Sequence, residues 1–151
     1  MSAALFIRYW LPVIIWMSLI FSASTDLGSV RRTSRIIGPF LRWFNPEVSD
    51  EAIATVQLLV RKAGHLVGYA ILALLVWRAK RNAVPRQQVG WSNADARFAL
   101  LVTALYACTD ELHQAFVPSR LGSPLDVVID TVGGALGLAL VYLLGKTLKR
   151  W

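Results

Sequence analysis

Residues 98–117 read FALLVTALYACTDELHQAFV. Phe98–Thr109 carries no charge, and then Asp110, Glu111, His113 and Gln114 arrive within two turns. A helix needs about 20 residues, at 1.5 Å each, to cross a bilayer. The uncharged part is too short for that. If this segment crosses a membrane, it must carry its polar turns to one face of the membrane.

Three other segments share this design. Apolar runs cover approximately residues 5–23, 58–77 and 125–145. The second includes Arg61, Lys62 and His65 at its start, and the fourth includes Asp126 and Asp130 at its start. The whole chain agrees. Of its 151 residues 56% are hydrophobic and only 17% charged. About a quarter is the usual charged share of soluble domains. Such a composition excludes a disordered chain and argues against one small soluble core, which buries too little surface to hide this much apolar area. The expected fold is all-α: a polytopic membrane protein in which 1–151 form one domain, a bundle of four transmembrane helices. A cleaved signal peptide is the rival reading of the first run, but its basic start is weak. The single cysteine, Cys108, excludes a disulfide framework. Cys108 and Tyr106 read as packing residues, and Trp16 as core or lipid-facing.

Between the first two spans, Ile36–Phe44 mixes apolar, aromatic and basic residues, which suits a segment lying in the membrane interface. Asn45-Pro46 then reads as a helix start, with Pro at the first helical position. The loop of residues 78–95, broken by Pro85 and Gly90, reads as a polar surface connection. In the fourth span, Gly133-x-x-x-Gly137 is a spacing that lets helices approach closely.

Counting helices places the polar turns. Successive spans run in opposite directions, so the C-terminal end of the first and third and the N-terminal end of the second and fourth share one side. Ser22, Ser24, Asp26, Arg61, Lys62, His65, Asp110, Glu111, His113, Gln114, Asp126 and Asp130 are thereby brought to one layer, with Arg120 in the adjoining loop. The opposite side holds Arg8, Arg78, Lys80, Arg81, Arg86, Arg97, Lys146, Lys149 and Arg150; the polar side holds Arg31, Arg32, Arg35, Arg42, Arg61, Lys62 and Arg120. The basic excess assigns both termini to the cytoplasm of a bacterial inner membrane. The net charge of +7 flanks apolar runs and forms no dense patch, so no nucleic-acid partner is expected.

Four acids facing lipid at depth would each cost about 2.5–3.5 kcal/mol on insertion scales. They must face one another, a partner or water. Three readings compete. In the first, Arg61, Lys62, Arg120 and Gln114 bind an anionic headgroup, while His65, Asp110, Glu111, His113, Asp126 and Asp130 carry acid–base chemistry. In the second, Asp110, His113, Asp126 and Asp130 hold a divalent metal; there is no HExxH-type signature, and no metal or other cofactor is assigned. In the third, the charges pair to lock the bundle. A transporter ranks lower, since four short spans show no repeat.

Several blocks resemble the VanZ-like family of small bacterial membrane proteins. They are Trp16–Ser24, Arg61–Ala70 and, most specifically, Tyr106–Arg120, continuing through Ser123, Asp126, Asp130, Thr131 and Gly133. Position 68 is Gly where relatives often carry an acid, and position 119 is Ser where Gly is common. The resemblance implies a four-span protein of the cell envelope, and the founding member is associated with teicoplanin resistance. The partner expected on this basis is a membrane lipid or a lipid-linked wall precursor, and a homo-oligomer stays open.

Overall fold

The structure is a computed structural model, and it describes residues 3–25, 30–82, 90–118 and 122–151. These residues form five helices and no strand: α1 (Ala3–Ser24), α2 (Val30–Phe44), α3 (Asp50–Asn82), α4 (Asn93–Ala115) and α5 (Pro124–Thr147). Three of them, α1, α3 and α5, are long and apolar enough to cross a membrane. Helix α4 has the length, with 23 residues, but Asp110, Glu111, His113 and Gln114 lower its apolar character.

The helix ends follow local chemistry. Ser92 caps α4, its side chain accepting from the Asp95 N–H, and Ser123 caps α5 ahead of Pro124 in the first turn. The expectation of a helix beginning at Pro46 is corrected. Asn45 Oδ1 accepts from the Glu47 N–H at 3.2 Å, and the Val48 N–H bonds back to the Asn45 carbonyl at 3.1 Å. Asn45–Val48 is therefore a turn, of the kind that an Asn side chain and a φ-fixed Pro favour. The helix starts at Asp50, with Ser49 Oγ accepting from the Ala52 N–H at 3.2 Å. The expected loop 78–95 is also shorter, because α3 continues through Lys80 and Arg81 to Asn82. Basic residues favour that last turn by meeting the negative end of the helix dipole.

Helix α3 touches each of the other four helices. Its buried face, Tyr69, Leu72, Ala73, Val76 and Ala79, meets Val13 of α1, Ala99 and Ala107 of α4 and Leu138 of α5. Small side chains set the spacing. A Cβ on Gly133 would collide with the Leu66 carbonyl, and one on Gly137 would stand 3.0 Å from the Ala70 carbonyl oxygen. The backbone of α5 thus lies directly on α3, as the Gly133-x-x-x-Gly137 spacing predicts. Gly134 faces α4, where a Cβ would stand 3.0 Å from Thr103 Cγ2.

The outside of the bundle is apolar. Ile15, Leu105, Leu136 and Leu140 are all more than half exposed, a surface suited to lipid and not to water. Cys108 is exposed on it, which corrects its reading as a packing residue. Tyr106 does pack, donating its hydroxyl to the Met17 carbonyl at 2.6 Å. Trp16 ties α1 to α3 through an indole N–H to the Gly68 carbonyl at 2.8 Å.

At one end of the bundle, Trp91 packs against Trp77, Tyr142 and Trp151 with ring centroids 5.3, 5.2 and 5.7 Å apart. The Arg81 guanidinium lies over Trp77 at 5.4 Å. The polar groups gather at the opposite end.

Candidate functional site

Asp110 is the centre of the polar layer. It is 2% exposed, and its Oδ2 accepts three hydrogen bonds: from Ser24 Oγ of α1 at 2.8 Å, Tyr69 Oη of α3 at 3.0 Å and Gln114 Nε2 one turn along α4 at 3.1 Å. Three helices are thus joined on one carboxylate oxygen. Gln114 Nε2 also reaches Glu111 Oε1 at 3.2 Å. Glu111 Oε2 accepts the Ser123 N–H at 2.9 Å, which ties α4 to the start of α5. Gly122 makes this turn tight, since a Cβ there would strike the Glu111 carbonyl.

Asp130 is fully buried and faces His65 across the α3–α5 contact that the glycines create. His65 Nδ1 lies 3.3 Å from Asp130 Oδ1 and 3.4 Å from Oδ2. One turn outward, Lys62 pairs with Asp126. Arg61, Lys62, His65, Gln114, Asp126, Ile129 and Asp130 line a small cavity of about 10 Å³, the room that one water-sized sphere takes.

The structure brings Ser24, Arg61, Lys62, His65, Asp110, Glu111, Gln114, Asp126 and Asp130 to one end of the bundle, the placement that counting helices predicts. Asp26 and Arg120 lie outside the described residues. Two placements differ from expectation. By helical spacing alone, Asp110, His113 and Gln114 share a face, with Glu111 turned about 100° away. The structure buries Asp110, Glu111 and Gln114 together, while His113 turns to α1 and packs against Phe21 with tilted rings, centroids 4.3 Å apart. The buried face of α4 runs through Thr103, Ala107, Asp110, Glu111 and Gln114. That pattern needs three- and four-residue steps in alternation, and it selects residue 111 over 113. Gln114 is engaged within the network, bridging two acids, and also lines the small cavity.

Tyr69 and Ser24 belong to the site but were not among the candidate site residues. Their signals were present: Tyr69 lies four residues after His65, and Ser24 ends a span at the polar level.

His65, Asp110, Glu111 and Asp130 each place one ligand-type atom within 4.8 Å of the others. The four differ from the set expected for a metal, since His65 and Glu111 stand where His113 and Asp126 were anticipated. The other polar side chains serve this centre: Ser24, Tyr69 and Gln114 hold Asp110 in place.

The family model described as VanZ/LLP1 matches residues 9–145. No curated protein and no solved structure matches the chain.

Proposed function

The chain belongs to the VanZ/LLP1 family, and we propose that it is a four-span protein of the bacterial cytoplasmic membrane that binds or modifies an outer-leaflet lipid headgroup or lipid-linked wall precursor. Helices α1, α3, α4 and α5 are its spans, and both termini lie in the cytoplasm. Helix α2, with Ile36, Phe40, Trp43 and Phe44 exposed, rests in the outer interface.

The observation that carries this reading is the meeting of cationic and acid–base groups at one end of the bundle. Arg61 and Lys62 border the cavity whose floor includes His65 and Asp130. An anionic headgroup is held at the mouth by the guanidinium and ammonium. His65, oriented by Asp130, takes or gives a proton at the bound group. Asp110 and Glu111 hold their side of the site rigid. Arg120, on the adjoining loop, supplies a further cation. Lowered sensitivity to teicoplanin is the cellular phenotype that the family suggests for such a site.

The test compares total lipids and lipid-linked precursors by mass spectrometry. Membranes carrying wild type are set against membranes carrying equal folded amounts of Asp130→Asn. A species that changes with wild type alone is expected, and it names the substrate class. Identical profiles overturn a catalytic role.

A second reading has its own support. Lys62–Asp126 and the three donors on Asp110 Oδ2 join α1, α3, α4 and α5, as a purely structural network would. Under that reading, Asp110→Asn lowers thermal stability and alters neither lipid profile nor lipid copurification.

A further inference from the structure

Two buried carboxylate oxygens in the polar layer make no well-formed hydrogen bond among the described residues: Asp110 Oδ1, and Asp130 Oδ1, whose one polar neighbour is His65 Nδ1 at 3.3 Å. Neither side chain reaches water, at 2% and 0% exposure. An unmet carboxylate oxygen in a protein interior is costly, and here two occur in one four-residue cluster with His65 and Glu111. Asp110 is the more telling of the pair. Its Oδ2 takes every donor that surrounds it, from Ser24, Tyr69 and Gln114. The partner side chains fix one oxygen and leave the other free, the arrangement by which outer groups orient a metal-ligating carboxylate.

The His65–Asp130 geometry points the same way. A separation of 3.3 Å is long for a charge-assisted hydrogen bond, for which about 2.7–2.9 Å is usual. It suits two ligands on one ion: bonds of about 2.0–2.1 Å in a tetrahedron put neighbouring donors about 3.3–3.4 Å apart. The adjoining cavity, lined in part by His65 and Asp130, is about 10 Å³, the room of one water-sized sphere.

We propose that His65, Asp110, Glu111 and Asp130 form a binding site for one divalent transition-metal ion. One imidazole and three carboxylates suit Zn²⁺ or Mn²⁺. Mg²⁺ and Ca²⁺ prefer all-oxygen shells, which the His65 imidazole disfavours. A dication offsets most of the charge of the three acids and engages both unmet oxygens. Asp126 is outside the set because it pairs with Lys62. The ion site shares His65 and Asp130 with the headgroup reading but does not rest on it, and it persists if that reading fails.

The experiment uses the full chain in detergent micelles, stripped with chelator and then incubated with Zn²⁺ or Mn²⁺. After desalting, bound metal is measured by mass spectrometry and melting temperature by tryptophan fluorescence. Wild type is expected to keep close to one equivalent and to melt at a higher temperature with the ion. Asp110→Asn and Asp130→Asn are expected to bind at least tenfold more weakly, and Asp126→Asn like wild type. Folded wild type that binds neither ion and shows no melting shift overturns the site, leaving protons to neutralise the acids. Equal retention by folded Asp110→Asn and Asp130→Asn also overturns it. So does binding of Mg²⁺ or Ca²⁺ as tight as that of Zn²⁺ and Mn²⁺, which contradicts the metal class. Lipid profiles play no part in these outcomes, so the two proposals fail separately.

Discussion

The two ends of the bundle are closed by different physics. Around Trp91, aromatic rings meet at tilted and stacked angles and Arg81 covers the Trp77 face. Such contacts are broad and tolerant of small shifts. Around Asp110, closure depends on hydrogen bonds with fixed directions, donated from three helices onto one oxygen. Among the described residues, the aromatic end leaves the Trp77 indole N–H without an acceptor, and the polar end leaves Asp110 Oδ1, Asp130 Oδ1 and His113 Nδ1 without a hydrogen bond. One end is built to hold the helices together. The other holds them together and leaves part of its hydrogen-bonding capacity unused.

The largest expected effect comes from the contact between the two ends. Gly133→Val pushes α5 away from the Leu66 backbone and is expected to cost about 3 kcal/mol, read as a fall in denaturation midpoint in detergent. It should disable both ends at once. A stable Gly133→Val would show that the helices are not held by backbone approach. Next comes Trp91→Ala, which removes the hub of the aromatic end. A loss of about 2 kcal/mol is expected, with the lipid profile of wild type retained at equal folded amounts. If that variant changes the lipid profile instead, the division of labour between the ends is wrong. Tyr69→Phe deletes one of the three donors to Asp110, and thermal melts should show a loss of about 1 kcal/mol. A loss as large as that of Trp91→Ala would mean that the polar end carries the fold. The smallest effect belongs to Trp16→Phe. Losing its bond to the Gly68 carbonyl should cost about 0.6 kcal/mol, and a much larger drop would make α1 a principal brace.

The polar end was the more legible of the two in the sequence. Lone charges within apolar runs are conspicuous, and alternation of helix direction brings Ser24, His65, Asp110 and Asp130 to one level without any knowledge of packing. Rotation about each helix axis was harder to read. Glu111 and His113 differ by only two residues, and which of them faces inward depends on where Phe21 and Ser123 sit. The close contact at Gly133 was legible from spacing, though its partner, Leu66, was not. The aromatic end was hidden because Trp77, Trp91 and Trp151 are far apart in the chain, and no spacing along one helix brings them together. Helix boundaries at Pro46 and Asn82 went astray for local reasons: an Asn side chain made a turn where a cap was expected, and basic residues extended a helix that they were expected to end.

Helix α3 has 33 residues with no internal proline, a rod of about 50 Å against a hydrocarbon layer of about 30 Å. Its N-terminal end lies beside α2, where Arg42 pairs with Asp50 at 2.5 Å. If the helix crosses a bilayer, about 20 Å of it stands beyond the hydrocarbon or is taken up by tilt. Since Lys62 and His65 and, about three turns on, Trp77 all lie on this one rod, the polar layer and the aromatic cluster are held at a fixed distance by a single continuous element.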